Sequence, residues 1–143
     1  MNPQICLVPK LSGLGGMASF QANLIQGLKT RQIPYNFDLG DPENTAVLVI
    51  GGTRHLWGLW RAKRGSACIV QRLNGMNWLH KVEKTTTPAA FKAQRDNLLL
   101  AFIRRCLATH IIYQSAFSRD WWTSQYKPDR IPIRVVHNGV DLE

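Results

Sequence analysis

Gln4-Ile5-Cys6-Leu7-Val8-Pro9-Lys10-Leu11-Ser12-Gly13-Leu14-Gly15-Gly16-Met17 opens the chain's first structural unit. Residues 4–8 form an apolar run that Pro9 ends, so a strand is predicted there. Leu11 to Gly16 reads as a glycine-rich turn. From Met17 the period changes: Phe20, Leu24 and Leu28 recur every four residues, and Gln21, Gln26 and Lys29 are expected to face away. A strand, a glycine turn and an amphipathic helix together begin a parallel α/β sheet.

The same alternation runs outward from that unit. Pro34 to Leu39 reads as a short strand, followed by the turn residues Gly40-Asp41-Pro42-Glu43-Asn44. Ala46 to Ile50 is a continuous apolar run, as a strand covered on both faces requires. Gly51-Gly52-Thr53 closes it, and Arg54 to Arg64 is predicted helical. Ala67 to Leu73 is the next strand, and Asn74 to Thr87 is polar and irregular. Pro88 suits a first helical turn, and Phe91, Leu98, Leu99, Phe102, Ile103 and Cys106 outline a long amphipathic helix. His110 to Gln114 is a strand, Ser115 caps a helix to about Tyr126, and Arg130 to His137 is a last strand ending at the turn Asn138-Gly139. The expected fold is α/β: one Rossmann-like open parallel sheet over residues 1–143, with helices on both faces.

Composition is consistent with that fold. With 143 residues and 45% hydrophobic content the chain suits one domain with a moderate core, and it is too apolar for a disordered segment. Three cysteines leave one over from any disulfide framework; Cys6, Cys68 and Cys106 each sit in apolar surroundings, so buried reduced thiols and a cytoplasmic compartment are expected. No apolar stretch reaches membrane-spanning length, and Met1 to Val8 lacks the pattern of a signal peptide. The net charge of +9 favours an anionic partner or, equally, is a solvated basic surface.

Ligands of open α/β sheets bind beyond the carboxyl ends of the strands. That rule places the glycine turn, Gly51-Gly52, Arg72-Leu73-Asn74-Gly75, Ser115 and His137-Asn138-Gly139 along one edge. At Gly13-Leu14-Gly15-Gly16 a phosphate can approach bare backbone and meet helix amides, or the segment is a plain tight turn; neither the full dinucleotide fingerprint nor a P-loop is present. Arg72 offers a fork for a phosphate or carboxylate, and Asn74 offers a donor and an acceptor for sugar hydroxyls; the competing reading is a structural pair and a chain turn. His80 suits acid–base work or is a loop histidine without a partner. His55, His110 and His137 are too dispersed for a metal site, so none is expected. Lys92, Arg95, Arg104 and Arg105 lie on the long helix, Arg54, Arg61, Lys63 and Arg64 on the short one, and Trp57, Trp60, Trp121 and Trp122 are near basic residues. Such a mixture suits an anionic membrane surface or single-stranded nucleic acid, or else the indoles are core and the charges solvated.

Taken in order, Gly15-Gly16 before a helix, Gln71-Arg72-Leu73-Asn74-Gly75, Ile111-Ile112-Tyr113-Gln114-Ser115-Ala116-Phe117-Ser118-Arg119 and Val136-His137-Asn138-Gly139-Val140-Asp141 resemble the N-terminal domain of retaining GT-B glycosyltransferases of family 4. The resemblance implies an acceptor-binding half of a two-domain enzyme. That enzyme would transfer a sugar from a nucleotide-diphosphate sugar to a hydroxyl acceptor, glycan or lipid-linked, with no metal and no cofactor. It implies that Gly15 and Gly16 lie by the donor diphosphate. Arg72, Asn74, Gly75 and His80 would line the acceptor side, with Ser115, Asn138 and Gly139 at the interdomain cleft. It implies peripheral contact with anionic membrane at the inner face. The family's usual Arg-Leu-Asp-Gly reads Arg72-Leu73-Asn74-Gly75 here, and an amide is no base. The donor-binding C-terminal domain, with its lysine and paired glutamates, is not in this sequence; it is expected in cis or in trans, and the 143 residues alone are expected to be inactive. Two other readings stand beside this one: a standalone Rossmann-like binding module or partner subunit, and a basic nucleotide- or nucleic-acid-binding protein. No nucleic-acid motif supports the last.

Overall fold

The computed structural model describes residues 3–75 and 87–139. These residues form an α/β Rossmann-like open sheet of six strands, all parallel, in the order β2-β1-β3-β4-β5-β6. The elements are β1 (Gln4–Val8), α1 (Gly16–Thr30), β2 (Tyr35–Asn36), β3 (Asn44–Ile50), α2 (Leu56–Arg64), β4 (Cys68–Leu73), α3 (Pro88–Phe102), β5 (His110–Tyr113), α4 (Ala116–Tyr126) and β6 (Ile133–Val135).

From β1 the chain first moves outward to β2, then returns past β1 and builds β3 to β6 in the other direction. Right-handed crossovers in opposite directions place helices on opposite faces. Thus α1 packs on the face carrying Arg72, where Phe20 lies against the guanidinium. The other face carries Cys6, Val8, Val47, Val49 and Ile69, packed under Leu56, Leu59 and Ala62 of α2. Farther along the same face, Leu73, Ile111 and Tyr113 meet Trp122 of α4. The reversal in strand order falls between β1 and β3, so their carboxyl ends form the crevice where such sheets bind ligands.

The β2 expectation of Pro34 to Leu39 shortens to two residues. Asn36 and Asp38 turn the backbone instead, accepting bonds from Asp38 N at 3.0 Å and Gly40 N at 2.8 Å. The return to β3 is tied down by Asp41, which accepts from Gln4 Nε2 at 2.7 Å and Asn36 Nδ2 at 3.0 Å. The last strand likewise contracts from the expected 130–137 to Ile133–Val135, a sheet edge paired with β5.

Several side chains point elsewhere than their spacing predicts. Gln21 is buried rather than turned out: it donates to Pro9 O and accepts from Leu11 N, both at 2.8 Å. It thereby pins the glycine loop to α1. The apolar stripe expected along α3 is largely outside, with Phe91, Leu98 and Phe102 exposed and Asn97 buried. A π turn at Ile103–Leu107 widens the helix and rotates Ile103, Arg104 and Leu107 inward while Cys106 turns out. The expectation of three buried thiols is therefore corrected: Cys6 is buried, Cys68 is half-buried and Cys106 is exposed.

Arg104 is also no part of a basic surface. Its guanidinium forms an ion pair with Asp129, and both side chains are almost fully buried. Its Nε donates to Tyr113 Oη at 3.0 Å, and that hydroxyl donates to Asp129 Oδ2 at 2.9 Å. Of the tryptophans, Trp122 is core, whereas Trp57 is 67% exposed and Trp60 38%. Among the described residues no helix is long and apolar enough to cross a membrane.

Candidate functional site

The site begins at the glycine loop. Gly13 and Gly15 hold φ of +94° and +153°, backbone regions that side chains rarely tolerate. Gly15 is the N-cap of α1, no side chain caps the first turn, and no acidic residue occupies it. The first-turn amides therefore present partial positive charge at the crevice. A Cβ at Gly51 would lie 3.3 Å from Met17 Sδ, so the end of β3 and the start of α1 touch.

Between these segments and α3 lies an open cavity of about 590 Å³. Gly52, Thr53, Arg54 and His55 line it from beyond β3, Asn74 and Gly75 from beyond β4, and Asp96 from α3. A Cβ on Gly52 would come within 2.6 Å of Leu100 Cδ2, so the bare backbone permits this close packing. The cavity thus collects a guanidinium, an imidazole, a carboxylate and a side-chain amide around an apolar floor of Leu73, Leu99 and Leu100. That is a chemistry suited to a ligand with several hydroxyl groups.

Beside the cavity stands Arg72, buried at 3% exposure at the end of β4. Its guanidinium donates to Asn74 Oδ1 at 2.7 Å, Gln114 Oε1 at 3.4 Å and Asn138 Oδ1 at 2.5 Å. It also stacks on the Phe20 ring, 3.7 Å from its centroid. Among the described residues no carboxylate pairs with it. Burial consequently pushes its pKa down. Three neutral amide oxygens and one aromatic face replace the hydration of a buried cation. The arrangement binds the ends of β4, β5 and β6 to the helix that follows the glycine loop.

Arg72, Asn74 and Asn138 are therefore brought together by direct bonds, but Arg72 is a clamp rather than an open anion fork. Gly15 and Gly16 lie on the same edge, with space around both Cβ positions. Gly75 and Gly139 are exposed there as well. Ser115 reaches the edge as the N-cap of α4, and its Oγ accepts from Ser118 N at 3.1 Å. His80 lies outside the described residues. Trp122 Nε1 donates to Asn74 O at 2.9 Å, fixing the turn from below.

Gln114, Arg54, His55 and Asp96 were not singled out for this site by sequence. For Arg54 and His55 the signal was present: both directly follow the glycines that close β3, a strand at the switch point. Asp96 reaches the cavity from mid-helix and carries no such signal. The described residues contain no group of three or more histidine, cysteine or acidic side chains that could hold a metal ion. No family model, curated protein or solved structure matches this chain.

Proposed function

We propose that this chain is the acceptor-side Rossmann-like domain of a retaining GT-B glycosyltransferase of the family 4 type. Its reaction is transfer of a sugar from a nucleotide-diphosphate sugar to a hydroxyl acceptor. The observation that carries this reading is the Arg72 clamp. It ties together Asn74 and Asn138, from the two turns that carry the sequence resemblance, beside an uncapped glycine helix start.

In this reading the amides of the first turn of α1, at Gly16 and Met17, face the donor diphosphate. Their fixed dipoles stabilise negative charge on the departing nucleotide at no cost of reorganisation. The acceptor occupies the cavity, where Asn74, Arg54, His55 and Asp96 hydrogen-bond its hydroxyl groups. Asn74 orients and does not remove a proton. A second Rossmann-like domain, in cis or in trans, supplies the remaining donor contacts, so the 143 residues alone position only half of the reaction. The indole-bearing, basic α2 supplies contact with an anionic membrane surface.

Titration of the isotope-labelled chain with nucleoside diphosphates and with oligosaccharides, followed by amide NMR shifts, tests the proposal. The expected result is nucleotide-induced shifts at Gly15, Gly16 and Met17, and saccharide-induced shifts at Gly52, His55 and Asn74, persisting at about 0.15 M salt. Shifts confined to basic surface residues, or abolished by that salt, would overturn it and favour the reading as a general polyanion binder.

A further inference from the structure

A second cluster of reactive side chains lies at the amino end of the sheet, away from the crevice. Cys68 opens β4 and His110 opens β5, and Thr109 stands between them. Cys68 Sγ is 3.2 Å from His110 Nδ1 and 3.2 Å from Thr109 Oγ1. Thr109 Oγ1 is in turn 3.2 Å from His110 Nδ1. Three polar atoms form a triangle with equal sides.

Proton accounting decides what that triangle does. The Thr109 hydroxyl donates its hydrogen to Ile69 O at 3.0 Å and accepts from Ile69 N at 3.0 Å. It therefore has a lone pair, and no hydrogen, to offer the other two atoms. In the tautomer that leaves Nδ1 without a hydrogen, that ring nitrogen can take the sulfur's proton. Once transferred, it sits on Nδ1 between two acceptors, the sulfur and the threonine oxygen. The threonine oxygen thus stands as a second acceptor for a proton on Nδ1, beside a thiol and an imidazole in contact, the pairing that cysteine nucleophiles use.

The thiol is accessible. Cys68, Val70, His110 and Ile112 share the sheet face of α1 and retain exposed surface, while Ile69 and Ile111 on the opposite face are buried. An open cavity of about 260 Å³ lies over them, floored by Val70 and Ile112 and bordered by Pro132 and Arg134. Arg134 pairs in register with Ile112, so its cation stands on the same face one strand away. An apolar floor with a cationic rim fits a small organic anion.

We propose that Cys68 is a nucleophilic thiol, with His110 as its proton acceptor, that forms mixed disulfides with small anionic disulfides seated over Val70 and Ile112. In the step, the Cys68 proton passes to His110 Nδ1 and the sulfur lone pair attacks one sulfur of the small disulfide. The original sulfur–sulfur bond breaks as the new one forms. The displaced thiolate leaves with the bonding pair and takes up the proton from the imidazolium or solvent. The small disulfide is the oxidant and Cys68 the group oxidised, so no other reactant is needed.

The other two cysteines are built-in references. Cys6 is buried in the core, and Cys106 is exposed without an imidazole partner among the described residues. The folded chain is treated with dithiobis(nitrobenzoate), an anionic disulfide, and each thiol is followed by peptide mass mapping. Cys68 is expected to react about tenfold faster than Cys106, although Cys106 is the more exposed. His110→Gln is expected to lower the Cys68 rate about tenfold and to leave Cys106 unchanged. Arg134→Gln is expected to slow the anionic reagent at Cys68 but not neutral dithiodipyridine. Continued silence of Cys6 verifies that each variant is folded. Faster reaction at Cys106 than at Cys68 in the unaltered chain would overturn the proposal without recourse to any variant. So would a Cys68 rate indifferent to His110→Gln in a variant whose Cys6 stays silent.

Discussion

Arg72 donates to the Asn138 side-chain oxygen at 2.5 Å, across 66 residues of sequence. The bond closes a ring of contacts through β4, β5 and the turn after β6, and Phe20 covers the guanidinium from α1. Removing an acceptor from a buried cation leaves its donor unsatisfied, which costs more than an ordinary hydrogen bond. Asn138→Ala is expected to lower unfolding free energy by about 1–3 kcal/mol, measured by urea denaturation. Arg72→Lys should cost at least as much, because an ammonium lacks the planar fork that reaches three amide oxygens. Stability within experimental error of the parent in both variants would mean that the clamp does not hold the edge together.

The glycine loop separates a conformational requirement from a spatial one. Gly15 holds φ of +153°, and nothing lies within 4 Å of a Cβ built on it or on Gly16. Gly15→Ala is therefore expected to cost about 1–3 kcal/mol through backbone strain alone. Gly16 has no such φ, so Gly16→Ala should leave the melting temperature nearly unchanged. The methyl group of Gly16→Ala does project where a diphosphate would meet the amides, so nucleotide-induced NMR shifts should weaken in that variant. Equal melting temperatures for the two variants would contradict this division.

Cys6 gives the fold a pH dependence with a defined sign. Burial, with help from Asp38 and Asp41, raises its thiol from an ordinary 9.0 to about 11. The native state therefore keeps a proton that the unfolded chain releases above pH 9. Stability from this group is complete below that value and declines until the folded thiol itself ionises near 11. The decline amounts to roughly 3 kcal/mol, because each tenfold change in proton affinity is worth about 1.4 kcal/mol. In Cys6→Ala, urea denaturation between pH 8 and 11 should show a shallower fall than in the parent. Parallel curves would show that other groups cause the alkaline loss.

How much of this was legible depends on the distance between cause and effect. The alternation of apolar runs with helical periods predicts the place of each strand and α-helix described, though not the short bounds of β2 and β6 or the π turn at Ile103–Leu107, because each element follows from residues close in sequence. The carboxyl-edge grouping is legible for the same reason, since parallel strands all end there. Gln21 is misplaced by periodicity because its amide is consumed by the loop backbone at Pro9 and Leu11. Arg104 is misplaced because its counterion, Asp129, arrives from a later loop and the π turn rotates the helix toward it. Arg72 was rightly located, but whether it was a fork for a ligand or a clamp depended on Asn138, which no local pattern reveals.

The Arg104–Asp129 pair is the most deeply buried ion pair among the described residues, with side chains only 3% and 5% exposed. Tyr113 links its two members, and burial raises the tyrosine's pKa above the ordinary value. Asp129→Asn leaves a buried guanidinium without its anion, and the expected loss is about 3–5 kcal/mol by urea denaturation. Tyr113→Phe removes one hydroxyl and leaves the ion pair, so it should cost less, about 1–3 kcal/mol. A double-mutant cycle should then show coupling, because both changes act on one network. Additive losses would argue that the hydroxyl and the ion pair are independent.

The indoles of Trp57 and Trp60 stack at 4.7 Å on exposed α2, and the Arg64 guanidinium lies 4.9 Å from the Trp60 ring centroid. Arg61 and Lys63 occupy the same helix, which carries no acidic residue. Exposed indoles prefer the headgroup layer, and each nearby cation adds about 1 kcal/mol against an anionic surface. Co-sedimentation with phosphatidylglycerol vesicles should therefore exceed that with phosphatidylcholine vesicles and should weaken as salt is added. Trp57→Ala should lower binding with little loss of fold stability, because its ring is mostly outside. Trp60→Ala should lower it less, because Trp60 is 38% exposed against 67% for Trp57 and the Arg64 cation stays in place. If both substitutions leave vesicle binding intact while added salt abolishes it, the contact is diffuse charge alone. Equal binding to the two lipids would remove anionic membrane from the partners of this surface.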